Sequence, residues 1–576
     1  MIDEIRIAVG QALVEASDGK ITLHQAYDSL VEPPDSKLGD LAFGCFQLAK
    51  ELRQAPPQIA AGLSQKIKAS SCIKSCTATG PYLNFTIQES FLGVKLLQSI
   101  QRGAYFEQKL TSDTPKTMVE FSQPNTHKEL HVGHMRNACL GDALVRTMRY
   151  AGYDIISSTF PGDVGTHVAK CLWYLKYRNI ERPPQVERGE WLGKLYSKGH
   201  LQLEDEEKTD KAETNKKQMT EILRQLEAKS GEFYELWKET RQWSIELMNE
   251  VYTWCGIRFD QWYWESEVDS ASVAYAKELF KQGKLVESQG AIGMNLEDEN
   301  LGFCLLVKSD GNGLYATKDI ELARRKFQDF HIEKSIYVVD MRQALHFKQV
   351  FKVLEKIGFK EAKNCYHLQY NFVELPDGAM SSRKGNIVPI IQLIHKMEQM
   401  VKDQYLSRYA GEWTQAEIDL VATQVAQGAI KYGMVKIDNN KKIVFDMNEW
   451  LKIDGDSGPF IQYSSARIHS LCRKLGYDER SVNWSLLVHA SERQLMQSMM
   501  NFHQVVIQAA ETYRPSIICT YLYDLAKRFN LFYHECSIGQ AGSEDLMRAR
   551  LALSYCVGEV LSHGLGLLGI PTPERM

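Results

Sequence analysis

A chain of 576 residues is longer than one hydrophobic core supports, so several domains are expected. Its 44% hydrophobic and 24% charged residues match an ordinary water-soluble globular protein, which excludes a low-complexity or fibrous chain. The formal net charge of −4 removes bulk basicity as a reason to expect a nucleic-acid partner, so any RNA contact must come from local basic patches.

The chain opens MIDEIRIAVGQALVEA, with acids among the apolar positions and none of the basic start or continuous apolar run of a signal peptide. Ile5 to Ala16 has helical spacing, and Tyr82 to Ile87 alternates as a strand after the Gly80-Pro81 turn. Residues 1–110 therefore read as a small α+β unit, followed by the polar linker Thr111 to Lys116. Thr117 to Phe121 is a strand, Ala138 to Ala151 a helix ended by Gly152, and Tyr153 to Thr159 a second strand running into Pro161-Gly162-Asp163. Strand, helix and strand in that order predict a parallel α/β sheet over 117–390. Residues 188–250 are highly charged, poor in Gly and Pro, and helical in pattern, which predicts a helical insertion into that domain. Strand signals return at Gly302–Val307, Ser335–Val339 and Tyr366–Phe372. A helical connecting segment, 391–454, leads to 455–576, which reads as a bundle of four or five helices.

The 12 cysteines include no C-x-x-C pair, and the closest two, Cys72 and Cys76, have no flanking histidine. They read as reduced core thiols, with no zinc site, in a cytoplasmic protein. No apolar run is long enough to span a bilayer.

Two loops carry the chemistry. The first is Ser122-Gln123-Pro124-Asn125-Thr126-His127-Lys128-Glu129-Leu130-His131-Val132-Gly133-His134, between a strand and a helix. His131 and His134 bracket Gly133, so a flat base can approach the bare backbone while two imidazoles donate to phosphate oxygens near a helix N-terminus. On spacing alone the pair fits a simple helix cap equally well. The second loop, Asp377-Gly378-Ala379-Met380-Ser381-Ser382-Arg383-Lys384-Gly385-Asn386, offers two hydroxyls and two cations between glycines, a composition suited to closing on a polyphosphate.

In this order and on these elements, HVGH (131–134) and MSSRKG (380–385) resemble the HIGH and KMSKS motifs of class I aminoacyl-tRNA synthetases. Over nearly the whole chain the sequence is similar to the arginyl-tRNA synthetase family, most clearly in VEFSQPNTHKELHVGHMRN (119–137), YATKDIELARRK (315–326), YVVDMRQALHFKQVF (337–351) and GPFIQYSSARIHSL (458–471). The resemblance implies a Rossmann-like catalytic domain, an anticodon-binding bundle, and an N-terminal domain gripping the tRNA elbow. It implies that L-arginine is activated with ATP, accompanied by Mg²⁺, and attached to tRNA(Arg), with no tightly bound cofactor and no resident metal. It further points to adenylate formation that depends on bound tRNA, and to a monomer.

The same resemblance assigns residues. Glu120, Asn125, Tyr315, Asp319 and Gln343 match positions that hold arginine. His131, Gly133, His134, His346, Met380, Ser381 and Ser382 would hold ATP, with His346 near the adenosine or its phosphates. Tyr82 and Asn84 match contacts to an unstacked base of the tRNA elbow, and Arg467, with Gln462, Tyr463 and His469, would face anticodon bases. The physics agrees. A guanidinium has five donors and no acceptor, so its pocket needs carboxylates and carbonyls, and Tyr315 and Asp319, four apart, share a helix face. The second motif departs from its family: its lysine positions fall on Ala379 and Ser382. Lys128, Arg383 or Lys384 would then supply the catalytic cation. The basic run Lys431 to Lys442 would either track phosphates or form a solvated face.

Overall fold

The computed structural model describes residues 2–31, 33, 38–375, 378–379, 388–479 and 482–576. In the N-terminal unit an antiparallel sheet runs in the order 30–31, 41–44, 82–87, 73–79. Helices Ile2–Ala16 and Pro56–Lys66 bury Ile5, Val9, Leu13, Ile59 and Leu63 in the same core as Leu83, Phe85 and Ile87 of that sheet. Arg493, in helix Ala490–Met500 of the C-terminal bundle, clamps this unit by pairing with the buried Asp40 and, at 2.8 Å, with Glu89.

The catalytic unit is built on a five-stranded sheet in the order Cys365–Tyr370, Lys334–Asp340, Thr117–Glu120, Ile155–Thr159, Gln261–Trp262, every neighbouring pair parallel. The chain starts in the middle and winds outward in both directions, so the strand order reverses between 117–120 and 334–340. Beyond the carboxyl ends of strands at such a switch point lies an open crevice, the usual ligand site of a doubly wound sheet. Helix Val132–Ala151 covers the sheet and ends at Gly152, whose φ of 105° suits only glycine. The helix begins six residues before the expected Ala138, because His131 caps it. The insertion is three helices, Arg188–Asp205, Ala212–Glu227 and Glu232–Cys255. A small antiparallel meander, 286–307, packs beside helix Tyr315–Phe330.

The segment after 390 is less uniformly helical than expected: Ile443–Val444 pairs in parallel with Val373–Glu374. Beyond it come five helices, Gly458–Leu475, Ala490–Met500, Phe502–Thr512, Ser516–Glu535 and Glu544–Leu567. The basic run 431–442 does not form one charged face. Lys431 is fully buried in helix Gln415–Val435, where it meets Asp142 at 3.2 Å and the carbonyl of Cys255 at 2.6 Å, while Lys436 and Lys442 pair with Asp456 and Glu374. All twelve cysteines are free thiols. No described helix is long and apolar enough to cross a membrane.

Candidate active site

The site grows from the carboxyl end of strand 117–120. Past Glu120 the chain makes two left-handed turns, at Ser122 (φ 53°) and His127 (φ 60°), a region non-glycine residues rarely enter. Both are pinned. The Ser122 N–H donates to Asn137 Oδ1 at 2.6 Å, and the His127 N–H to Ser244 Oγ at 2.9 Å. The buried His127 ring is held between the hydroxyls of Thr126 (2.9 Å) and Thr240 (2.8 Å), tying the loop to the insertion. The Thr126 N–H donates to the Gly162 carbonyl at 2.8 Å. A side chain at position 162 would strike Asn125, so the glycine there keeps Asn125 in place.

The pinned loop delivers His131 as the N-cap of helix 132–151. Its Nδ1 accepts from the Gly133 N–H at 3.1 Å, while His134 Nδ1 accepts from the His131 N–H, also at 3.1 Å. Each ring thus spends Nδ1 as an acceptor, which leaves Nε2–H as its free donor when neutral. Both are neutral: burial first, then the nearby cations Arg342 and Lys128, bring His131 down to about 4, and burial with its neighbours His131 and Lys128 holds His134 well below the usual imidazole value. The cap and the donor pair are one arrangement, with the helix N-terminus favouring negative charge beyond it.

Met380, Ser381, Ser382, Arg383 and Lys384 lie outside the described residues. Their described flanks converge on the histidine pair. The Val132 N–H donates to the Val388 carbonyl at 3.2 Å, the Ile390 N–H donates to the Leu130 carbonyl at 3.0 Å, and His131 bridges to Pro389. On the other side, Val373 lines the cleft, and its strand Val373–Leu375 pairs antiparallel with Gly378–Ala379. The buried Arg136 fixes this approach by donating to the carbonyls of Asn371 (2.6 Å) and Lys441 (2.9 Å).

Between these parts lies a cleft of about 900 Å³. Glu120, Asn125, His131, Gly133, His134, Tyr315, Asp319, Gln343 and His346 all line it, from the ends of separate strands and helices. Four carboxylates face it, each with a cation of the protein's own; Asp340 pairs with Arg342 at 2.8 Å. Glu120, 3% exposed, pairs with the fully buried Lys326, whose ammonium also lies 4.0 Å from the centre of the Tyr337 ring. Asp319 meets His346 Nε2 at 2.5 Å. Glu265 meets Lys318 at 3.3 Å, and burial, only partly offset by Lys318, raises its carboxyl to about 7. Sequence reasoning missed Lys326, Lys318 and Glu265. Lys326 had a legible signal, because it stands seven residues after Asp319 on the same helix face.

Other expected residues lie elsewhere. Lys128 does not line the cleft: its ammonium rests 5.0 Å from the ring centre of Tyr196 in the insertion, and its field reaches the histidine pair. His346, expected beside the nucleotide, does line the cleft, with its ring paired to Asp319. In the N-terminal sheet Tyr82 is 42% exposed and edge-on to Phe46 at 5.6 Å, but Asn84 is 2% exposed, with Nδ2 buried and without a hydrogen-bond partner among the described residues. In the bundle Arg467 is sandwiched between Tyr463 (5.3 Å) and Tyr533 (5.2 Å) and reaches Asn530 at 3.3 Å. Gln462 faces inward instead of toward solvent, donating to the carbonyls of Gln424 and Pro571. No group of three metal-ligating side chains is found among the described residues.

The doubly wound sheet, the histidine-capped helix and the attached bundle define a class I aminoacyl-tRNA synthetase. Residues 96–447 match the family described as tRNA synthetases class I (R), catalytic domain, residues 461–576 the DALR anticodon binding domain, and residues 3–87 the arginyl tRNA synthetase N terminal domain. The chain is 59% identical to an arginine–tRNA ligase of Bdellovibrio bacteriovorus, over 99% of this chain and 98% of that one. It is 36% identical to another from Phocaeicola vulgatus, over 93% and 94% of the two chains. Its fold is similar to the Thermus thermophilus arginyl-tRNA synthetase, with a TM-score of 0.79 and 27% identity over 99% of this chain and all of that one. The chain belongs to the arginyl-tRNA synthetase family.

Proposed function

We propose that this chain is an arginine–tRNA ligase in which the cleft at the sheet's switch point performs both chemical steps. One observation carries the reading: a histidine-capped helix N-terminus and an acidic slot that includes Glu120, Asp319 and Glu265 open into the same cavity. The adenosine of ATP lies over Gly133, with the Nε2–H donors of His131 and His134 toward the phosphates. Met380, Ser381 and Ser382 contact the nucleotide, and Arg383 and Lys384 supply the cations. Lys128, in the loop before the histidine pair, contributes its field. Mg²⁺ arrives as part of the substrate, bound mainly by phosphate oxygens and water.

L-Arginine enters with its α-amino group toward Glu120 and Asn125 and its guanidinium toward Tyr315, Asp319 and Gln343, a set rich in acceptors as five donors require. One oxygen of the arginine carboxylate attacks the α-phosphorus in line. The bond to the bridging oxygen breaks, pyrophosphate leaves with that electron pair, and arginyl-adenylate remains. A terminal ribose hydroxyl of tRNA(Arg) then attacks the carbonyl carbon and AMP leaves, the hydroxyl proton passing to solvent or to the phosphate. No side chain becomes covalently attached; positioning and charge stabilisation lower the barrier. Tyr82 contacts the tRNA elbow, with Asn84 buried in the same strand, and Arg467, with Tyr463 and Tyr533, contacts the anticodon end. The enzyme works as a cytoplasmic monomer.

The test is charging of total tRNA with each of the twenty amino acids, by the wild type and by His134→Ala. Arginine is expected to be the preferred substrate, and the variant to lose roughly 10²–10³ in kcat. His134→Asn, which keeps a capping side chain, separates this loss from loss of the helix cap. Preferred charging with another amino acid, or an unimpaired His134→Ala, overturns the reading.

A further inference from the structure

Asp319 and His346 come from different helices, Tyr315–Phe330 and Ala344–Lys356, and meet at the cleft wall with their side chains 16% and 24% exposed. A carboxylate only accepts, so His346 Nε2 is the donor in the 2.5 Å contact with Asp319 Oδ2. The other ring nitrogen, Nδ1, has no protein hydrogen-bond partner among the described residues. The ring can therefore lose a proton at Nδ1 and still hold Asp319 through Nε2–H, and Oδ1 remains available to the cleft.

We propose that His346 is a positioning residue for arginine recognition: it holds the Asp319 carboxylate through Nε2–H, carries the slot's positive charge while no amino acid is bound, and releases the Nδ1 proton to solvent when the substrate guanidinium docks on Asp319. The inference rests on the reading of Asp319 as the guanidinium's acceptor. Its physical basis is that two full cations on one carboxylate repel, so the arriving guanidinium, which does not deprotonate, drives the proton from the imidazole. The step balances: imidazolium plus arginine gives neutral imidazole, bound arginine and one free proton.

The charged and titratable groups around His346 are Asp319 and Lys318 from helix 315–330, His367 from strand 365–370, Asp340 and Arg342 at the end of strand 334–340 and the turn after it, and Glu265 across the cleft. Burial pulls His346 down, but the hydrogen bond and charge of Asp319 outweigh it and leave the ring above its ordinary value. His367 goes the other way: burial lowers it, and the hydrogen bond of its Nε2 to the Val339 carbonyl at 3.0 Å offsets only part of that. Glu265, with its carboxyl at about 7, also titrates there, and its ionisation strengthens arginine binding in the same direction as loss of the His346 proton. A pH profile alone therefore does not separate the two groups. A proton count does.

The experiment is isothermal titration of L-arginine into the full-length enzyme, with and without tRNA, in two buffers of different ionisation enthalpy below the His346 value. The wild type is expected to release close to one proton on account of His346. His346→Gln keeps an N–H donor for Asp319 but cannot titrate; it is expected to lose that release and to flatten the fall of arginine KM with rising pH. His346→Ala, lacking the donor as well, is expected to bind arginine roughly ten- to a hundredfold more weakly at every pH. Glu265→Gln is expected to retain the His346 component. If His346→Gln releases as many protons as the wild type while Asp319→Asn weakens binding, this inference falls and the placement of arginine stands. If Asp319→Asn binds arginine as the wild type does, the placement itself falls.

Discussion

Replacing Lys326 by methionine tests whether the first cleft acid is held by its buried counter-ion. The Lys326 side chain is 0% exposed and that of Glu120 4%, so both charges have been taken out of water, and neither finds solvent if the other is removed. Breaking such a pair from one side costs about 3–5 kcal/mol, because the survivor stays buried without compensation. The lost contact of the ammonium with the Tyr337 ring, at 4.0 Å, lies within that range and not on top of it. Methionine matches the lysine stem closely, so little of the effect comes from a cavity. Removing both charges with Lys326→Met/Glu120→Gln is expected to recover most of the loss, giving a coupling energy of roughly 2–3 kcal/mol. A chain of several domains does not unfold in two states, so the readout is native-state hydrogen exchange of a peptide covering 117–121, which reports opening of this strand. The single variant should exchange faster there by a factor on the order of 10²–10³, and the double variant should sit near the wild type yet bind arginine poorly. Wild-type exchange in the single variant, or no recovery in the double, refutes the argument.

The histidines predict an acid sensitivity. Burial brings His127 to about 3 and His131 to about 4, whereas the unfolded rings titrate near 6.5. Between those values the unfolded state binds more protons, so stability is full above pH 6.5 and falls as pH drops, by about 1.4 kcal/mol per pH unit for each histidine. The opening free energy of a peptide covering 122–134, from hydrogen exchange corrected for the intrinsic rate at each pH, should fall steeply from pH 7 to 5 in the wild type and less steeply in His127→Gln; a flat profile would refute the buried neutral state. In the bundle, Arg467→Ala should raise the KM for tRNA roughly tenfold, the loss of one contact of about 1.4 kcal/mol, with the arginine and ATP KM values unchanged; an unchanged tRNA KM removes Arg467 from the interface.

The sheet was legible because its strands are short apolar runs set between loops and helices. Four of them, 117–120, 155–159, 334–340 and 365–370, fall within two residues of the expected bounds. The start of helix 132–151 was not legible: Val, Gly and His carry weak helix signals, and it is the tertiary pinning of the loop that makes His131 a cap. Spacing put Tyr315 and Asp319 on one helix face correctly, but no local pattern shows that Lys326, at the end of that face, is buried against a strand two hundred residues earlier. For the same reason the run 431–442 read as one exposed basic stretch, either phosphate-tracking or merely solvated, although Lys431 is inside the protein. Local sequence records charge and period; which carboxylate meets which cation is decided by the crossing of distant elements.

That crossing explains how an acidic slot survives empty. Burying Glu120, Asp319 and Glu265 around one cavity without cations would be prohibitively costly, and each is instead held by a resident partner whose accessibility differs. Lys326 is sealed behind Glu120, so it stays when substrate binds and leaves only part of that carboxylate's charge for the α-ammonium group. Lys318 holds both Glu265 and Asp269, and is likewise a fixture. Among these three partners only His346 belongs to a residue type that loses its charge near neutral pH, so the slot has one acid whose positive partner is removable, and it is the acid proposed to read the guanidinium. A lysine in place of His346 would keep the slot neutral and stable but would compete with the substrate at every pH. An uncharged amino acid, unable to displace the proton, gains nothing from Asp319. On this argument the resident imidazolium contributes to selection as well as to stability: only a side chain that remains cationic on entering the slot takes full advantage of the acid it uncovers.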